Sequence, residues 1–386
     1  MSVATDQIGP PAATAVRVHV AGPAIDTTTE PETRPRPELS PARLCRAKKA
    51  YTTRSVAARI DADPTGYTLL DGPDVTPNPG DVVLARIERL GMHTRLESPV
   101  SRRQLLYVGD EILVAYGHRY APDQFEAEVP GDLRPVNLVA AGGLAALATS
   151  KHAKVSDATA IQPLGLLADD HGVVTLGRFA ERRLGGQALG PRMGPGPMVV
   201  AVLGTSMNSG KSTTVSSLIR GLVLSGLTVS AGKVTGTGAG GDPHGFADAG
   251  ASQVLDFTDF GFASTFRLAP AQVRALLASV VTELSTPNAD VVVVEVADGL
   301  YQDETAQLLT HPTFRSVVDR VVFAADGAAG AVGGMDVLTR AGLQVAAVSG
   351  VLTSAPLAMR EARSMLDVPV VETSDLAEPD VVRTVL

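Results

Sequence analysis

From residue 198 onward, unbroken apolar runs alternate with helix-length segments. The runs are MVVAVLG, TVSAGKV, VVVVEVA, RVVFAAD, QVAAVSGVL and VPVVET. Apolar runs without polar alternation suit strands covered on both faces, and helices between them imply right-handed crossovers and a parallel sheet. The pattern predicts a doubly wound α/β domain over 198–386. Residues 46–190 read differently. DVVLARIERL, QLLYVG, EILVAYG and GVVTLGRF are short and rich in Val, Ile, Leu and Tyr, and Gly, Pro, Asn and Asp punctuate them. This predicts a smaller, mainly β domain, a barrel or a sandwich. NLVAAGGLAALATS reads equally as a helix or as a glycine-broken loop. GGQALGPRMGPGP, 185–197, is the expected boundary between the two halves. Residues 1–45 are rich in Pro, Thr, Ala and Glu, and a mobile N-terminal segment is expected there, with a short strand at Val16–Val20.

Composition narrows the function classes. The 386-residue chain has a formal net charge of −8 from 33 basic and 41 acidic side chains, which argues against non-specific binding to nucleic acid or to an anionic membrane. The single cysteine, Cys45, excludes an internal disulfide framework and any multi-cysteine metal site. No apolar run reaches the length of a membrane span, and no signal peptide is evident, so a cytoplasmic location is expected. With no Trp, base-stacking platforms are not expected. The chain has six lysines against 27 arginines, and from position 155 onward only Lys211 and Lys233 are lysines. An arginine-biased genome would explain the scarcity but not which two positions keep a lysine.

The first of them lies in VVAVLGTSMNSGKSTT, 199–214. An apolar strand ends at Gly204, a loop of small residues follows, and a helix begins near Lys211. That order is what a phosphate-binding loop needs: backbone N–H groups of the loop and helix start converge on an anion. Gly204 and Gly210 allow close backbone approach. Lys211 would meet the β and γ phosphates, Ser212 a Mg²⁺ ion, and Thr213 the α phosphate, with Thr205, Asn208 and Ser209 completing the loop. Five residues separate Gly204 from Gly210, one more than the common spacing.

This longer loop, opening with Gly204-Thr205, resembles that of dethiobiotin synthetase and its relatives. The resemblance extends to Lys233 at the end of the second strand and to Glu295 after VVVV. It covers roughly residues 199–375. It implies that Lys233 holds the acceptor and the transferred phosphate, and that Glu295 with a second acid holds magnesium. Asp242, Asp248, Asp256 and Asp259 compete for that second role. By its distance from Lys233, Asp248 matches the family best, although helix capping explains it equally. The chain is also similar to a group of proteins with the same long loop that includes a D-glutamate N-acetyltransferase. It departs from dethiobiotin synthetase at Ser206, at Val351 and Leu352, and in the Val-Ala-Asp-Gly that follows Glu295. No Asn-Lys-x-Asp element supports guanine selection.

Several further residues have two open readings. Asp298 is a candidate neighbour of Glu295 or a turn residue. His244 is a proton carrier or a solvated loop side chain, and Arg267 a substrate contact or a surface ion pair. In the β half, His93, Arg95 and Glu97, and His118, Arg119, Tyr120, Asp123, Glu126 and Glu128, form either a substrate pocket or a charged barrel rim.

The leading expectation is an ATP- and Mg²⁺-dependent enzyme that transfers the γ-phosphoryl group to a small-molecule carboxylate, carbamate or hydroxyl. Lys211, Lys233 and Glu295 would be its catalytic residues, and Ser212, Asp248 and Glu295 its metal ligands. A ligase or cyclase working through an acyl phosphate is the preferred form. The alternatives are an acyl-CoA-dependent N-acyltransferase on the same scaffold, and a nucleotide-dependent accessory or switch protein. The expected partners are the small-molecule acceptor and a second copy of the chain, as a homodimer or higher homo-oligomer.

Overall fold

A computed structural model describes residues 39–185 and 196–386. Residues 1–38, including Val16–Val20, and most of the glycine- and proline-rich boundary lie outside the described residues. The described residues form one compact unit.

Five of the six apolar runs form strands of a six-stranded parallel sheet, and one strand, β3, comes from a segment outside those runs: β1 (Met198–Gly204), β2 (Val229–Lys233), β3 (Gln253–Asp256), β4 (Val291–Glu295), β5 (Arg320–Ala324) and β6 (Val345–Ser349). Their order is β3-β2-β4-β1-β5-β6. Strand β1 shows why its sequence lacks polar alternation. Val199, Ala201 and Leu203 belong to one hydrophobic core, whereas Val200 and Val202 belong to another. Helix Pro270–Leu284 packs on the first face, and helix Lys211–Leu224 on the second. The sheet is therefore covered on both sides, as a doubly wound sheet must be. The last run, VPVVET, differs from expectation. It adds only an isolated bridge between Val370 and Val348, and Pro369 has no N–H to continue a ladder.

The β half closes into a ring. Val82–Arg89 pairs with Glu111–Tyr116 and with Thr159–Asp169. Val136–Ala140 lies between Thr159–Asp169 and Leu144–Lys151. A parallel pairing of Leu144 and Ala145 with Ala115 and Tyr116 closes the circuit. Closure removes the exposed edges of five strands. Apolar residues from all five strands, among them Val83, Ile112, Leu138, Ala145 and Ile161, share one core. NLVAAGGLAALATS is neither a helix nor a loop but most of a hairpin. Its glycine pair sits at the turn, with Gly143 at φ 100°. Residues 39–45 also depart from the mobile segment expected there. Pro41–Arg46 is helical, and Leu39 and Leu44 are buried against the barrel.

The barrel is anchored to the sheet's carboxyl edge by a buried polar cluster. Arg54 pairs with Asp259 and bonds Thr258, and it lies 3.8 Å from Asp256, which is 1% exposed. Tyr51 donates to the same Asp256 at 3.4 Å. Burial raises the Asp256 pKa, and Arg54 opposes that rise. Nearby, Glu97 accepts from the Gly240 amide at 3.0 Å. Gly142 packs so closely on loop 236–240 that a Cβ there would collide with the Gly238 carbonyl. Among the described residues, no helix is long and apolar enough to cross a membrane.

Removing Arg54 would leave a buried carboxylate without its cation. Arg54→Met should therefore cost roughly 3 kcal/mol in urea unfolding at pH 7. A loss below about 1 kcal/mol would show that the cluster is not the anchor between barrel and sheet.

Candidate active site

A cavity of about 820 Å³ opens where the barrel meets the carboxyl ends of β1, β2 and β4. One wall comes from the glycine loop and the start of helix Lys211–Leu224. The floor comes from Lys233, Asp242, Glu295 and Asp298, and the opposite wall from barrel residues including His93, Arg95, Arg119 and Gln124.

The loop geometry follows from its small residues. At Gly204 a Cβ would collide with the Ser209 hydroxyl and the Lys211 side chain, so the chain can fold back only without one. Gly210 has φ 95°, in the left-handed region that glycine enters without strain, and from there the chain turns into the helix. Asn208 also has positive φ, and its amide donates to Asp123 of the barrel at 2.8 Å, tying the loop tip to the facing wall. Thr205 is held by its N–H to the Ala324 carbonyl at 3.0 Å. The Ser209 carbonyl accepts from the Val351 amide at 2.9 Å, which binds the loop to the end of β6. The Ser209 hydroxyl is buried and makes no hydrogen bond. Lys211 is 6% exposed, and its Nζ donates to the Ser206 carbonyl at 2.8 Å. Ser212 and Thr213 line the cavity beside it. A second pocket of about 330 Å³ adjoins Gly210 and Thr213 and is lined by Val351, Thr353, Glu372 and Thr373.

The sheet's register assembles the floor. Lys233 and Glu295 are direct partners across β2 and β4, and Glu295 is in turn the partner of Val202 on β1. The Lys233 ammonium lies 3.3 Å from Glu295 Oε1 and also pairs with Asp242. Burial alone would lower its pKa, but the two carboxylates outweigh burial and keep the ammonium charged. Burial lowers the Lys211 pKa, with Glu295 and Asp298 opposing. Asp242 sits in the first turn of helix Gly241–Asp248, and burial works against its charge. Lys233, helped by a hydrogen bond from Ser212, overcomes that effect, and the carboxyl stays below its ordinary value. Asp298 has φ 65°, and burial pushes it up to about 6 against the pull of both lysines.

The structure thus brings Lys211, Ser212, Thr213, Lys233 and Glu295 to one cavity, and it brings Asp242 with them. Asp248 is not brought there: it ends its helix exposed to solvent, nearly two turns from Asp242. Asp256 and Asp259 belong to the barrel anchor. His244 bonds Ser101 at 2.8 Å, and Arg267 forms an ion pair with Glu128 at 2.6 Å, neither of them lining the cavity. Asp242 carried one usable signal, its place at a helix start directly after two glycines. Gln124 and Thr94 carried none.

The donor set fits a divalent cation shared with phosphate oxygens. Glu295 Oε2 is buried without a hydrogen-bond partner, and Asp242 and the Ser212 hydroxyl lie beside it on the cavity floor. Among the described residues no cluster of three or more His, Cys, Asp or Glu side chains could hold a metal by itself. Magnesium commonly takes only one or two carboxylates, the rest of its shell being phosphate and water.

Comparison with protein-family models and with curated proteins gives no match. Among solved structures, the chain is similar to the signal recognition particle receptor FtsY from Elizabethkingia anophelis at 19% identity and a TM-score of 0.35, over 49% of this chain and 65% of that one. The cell division protein FtsY from Thermotoga maritima matches at 16% identity and a TM-score of 0.34, over 54% of this chain and 73% of that one. The signal recognition particle 54 kDa protein from Aeropyrum pernix K1, solved with GDP, matches at 18% and 0.34, over 49% and 45%. What the chain itself displays is a parallel α/β sheet with a phosphate-loop turn at the end of β1.

Asp298 supplies a pH test. Its folded pKa lies above the unfolded value, so its contribution to stability is complete below about pH 4 and disappears as pH rises through 6. Asp298→Asn keeps the backbone conformation and removes the buried charge. The variant should be more stable than wild type by roughly 1–3 kcal/mol at pH 7.5, with the gap closing at pH 4. A gap that does not change between these pH values in chemical unfolding would refute the assignment.

Proposed function

We propose that this chain is a nucleoside-triphosphate-dependent enzyme that moves the γ-phosphoryl group to a small-molecule acceptor in the cavity between sheet and barrel. The observation that carries this reading is the convergence of the domain's two lysines, Lys211 buried and Lys233 12% exposed, on one cavity with Glu295 and Asp242 beside them. The bridging P–O bond to the β phosphate breaks, an acceptor oxygen bonds the phosphorus, and the diphosphate leaves. Lys211, at the helix start, would compensate charge on the β and γ phosphates. Lys233, on the next strand end, would face the acceptor and the moving group. Asp298, which burial pushes up to about 6, would take the acceptor's proton where the acceptor is a hydroxyl.

The charge balance supports a metal requirement. The two ammonium groups offset Glu295 and Asp242, and Asp298 adds negative charge above about pH 6, so the site offers no net positive charge to a triphosphate. Ser212, Asp242 and Glu295 would hold magnesium, which neutralises phosphate oxygens when bound. The second pocket, beside Thr213 and lined by Val351, Thr353, Glu372 and Thr373, would take the nucleoside. The resemblance to dethiobiotin synthetase supports ATP as the nucleotide and a ligase or cyclase working through an acyl phosphate. The cleft, with barrel residues lining the wall that faces the glycine loop, favours a small-molecule acceptor over a protein partner.

Two lysine variants separate the roles. Lys211→Ala should weaken binding of a fluorescent ATP analogue at least tenfold. Lys233→Met should change that affinity by less than about threefold while lowering ADP release a hundredfold or more. EDTA should weaken nucleotide binding in the wild type. Full affinity in Lys211→Ala would contradict the proposed function.

A further inference from the structure

The barrel wall contains a cation that nothing described so far employs. Arg119, in the short strand Arg119–Tyr120, is 5% exposed yet lines the cavity. Its Nη2 donates to Gln124 Oε1 at 2.7 Å. Its Nε and Nη1 are buried and have no hydrogen-bond partner, and it forms no ion pair with any described residue. On the same wall, the buried Nδ1 of His93 is also without a partner. Burial, reinforced by Arg119, pulls His93 down to about 4, so its ring is neutral at pH 7.

A desolvated guanidinium with unused N–H donors destabilises a fold unless it has a task. Burial draws Arg119 down to about 10, yet it remains a cation at neutral pH. Its donors form a planar fork suited to an oxyacid anion. Asp123 and Asp298 are the acids whose fields reach it. They oppose any added negative charge, so a singly charged, planar carboxylate is opposed less than a dianionic phosphate.

We propose that Arg119, with the neutral His93 beside it, recognises a carboxylate on the acceptor molecule, so that the substrate is a small carboxylic acid anchored to the barrel wall. This inference rests on the phosphoryl-transfer reading, from which the acceptor takes its place opposite the glycine loop. Arg95 and Arg103, exposed on the adjoining hairpin and also lining the cavity, would attract the anion from solvent.

The test uses the full chain saturated with magnesium and a non-hydrolysable ATP analogue, titrated with glutarate, its uncharged diamide or inorganic phosphate. Thermal unfolding and calorimetry are the readouts. Glutarate should raise the wild-type Tm and the diamide should not. In Arg119→Gln the apparent Kd for glutarate should rise at least tenfold, with affinity for the ATP analogue changed less than twofold. Arg119→Lys should recover only part of the loss. The free Arg119→Gln protein should unfold no earlier than wild type, because an unpaired buried charge has been removed. Four results would overturn the proposal: no effect of glutarate on the wild type, equal glutarate binding by Arg119→Gln, an Arg119-dependent response to phosphate but not to glutarate, or a Tm of free Arg119→Gln lowered by more than a few degrees. Should Arg119→Gln fail to fold, the last condition is met. Binding of the ATP analogue reports on the phosphoryl-transfer reading and the glutarate titration on Arg119, so the two can fail separately.

Discussion

Lys233 and Glu295 face each other across the ends of two neighbouring parallel strands, and the rest of the site depends on that pairing. Parallel register fixes both side chains at the same height. β4 also pairs with β1, so the same height is where β1 gives way to the glycine loop. A shift of the β2–β4 register by one residue would turn Lys233 to the other face of the sheet. The buried valines of β4 make such a shift costly, because they pack into separate cores on the two faces. The chemistry at the edge is thus held in place by the packing of the sheet beneath it.

The floor balances charges that are unfavourable one at a time. Lys233 retains its proton only because Glu295 and Asp242 offset its burial, and Asp242 stays ionised through Lys233. Removing one member strands the others in a poorly solvated place. The barrel contributes to this by covering the sheet edge, and Arg54 is the bolt that keeps it there. Reduced access of water strengthens each electrostatic contact in the cavity, including those of Lys211 with Glu295 and Asp298.

The glycine loop and the strand that feeds it were readable because their physics is local: a turn without side chains at Gly204, a left-handed residue at Gly210, and a helix start at Lys211. Five of the six strands were readable because two-sided burial removes polar alternation; β3 was not, because it is four residues long with Gln253 and Asp256 at its ends. The second acid was harder. Asp242 and Asp248 lie on the same short helix, and only the way its first turn faces Lys233 and Ser212 distinguishes them. The hairpin at Val136–Lys151 was ambiguous because its alanines and leucines suit a helix, and only barrel closure selects the strand. In the sequence Arg119 reads only as one of several pocket-or-rim residues, and its burial is what separates it from the rim.

The central claim is that one triphosphate spans the glycine loop and reaches the Lys233–Glu295 pair. A crystal structure with magnesium and a non-hydrolysable ATP analogue tests it most directly. The account predicts that the β phosphate lies over the amides of 205–213, with the γ phosphate in contact with both Lys211 and Lys233. A bound nucleotide whose terminal phosphate points away from Lys233, or lies outside the cavity, would contradict it.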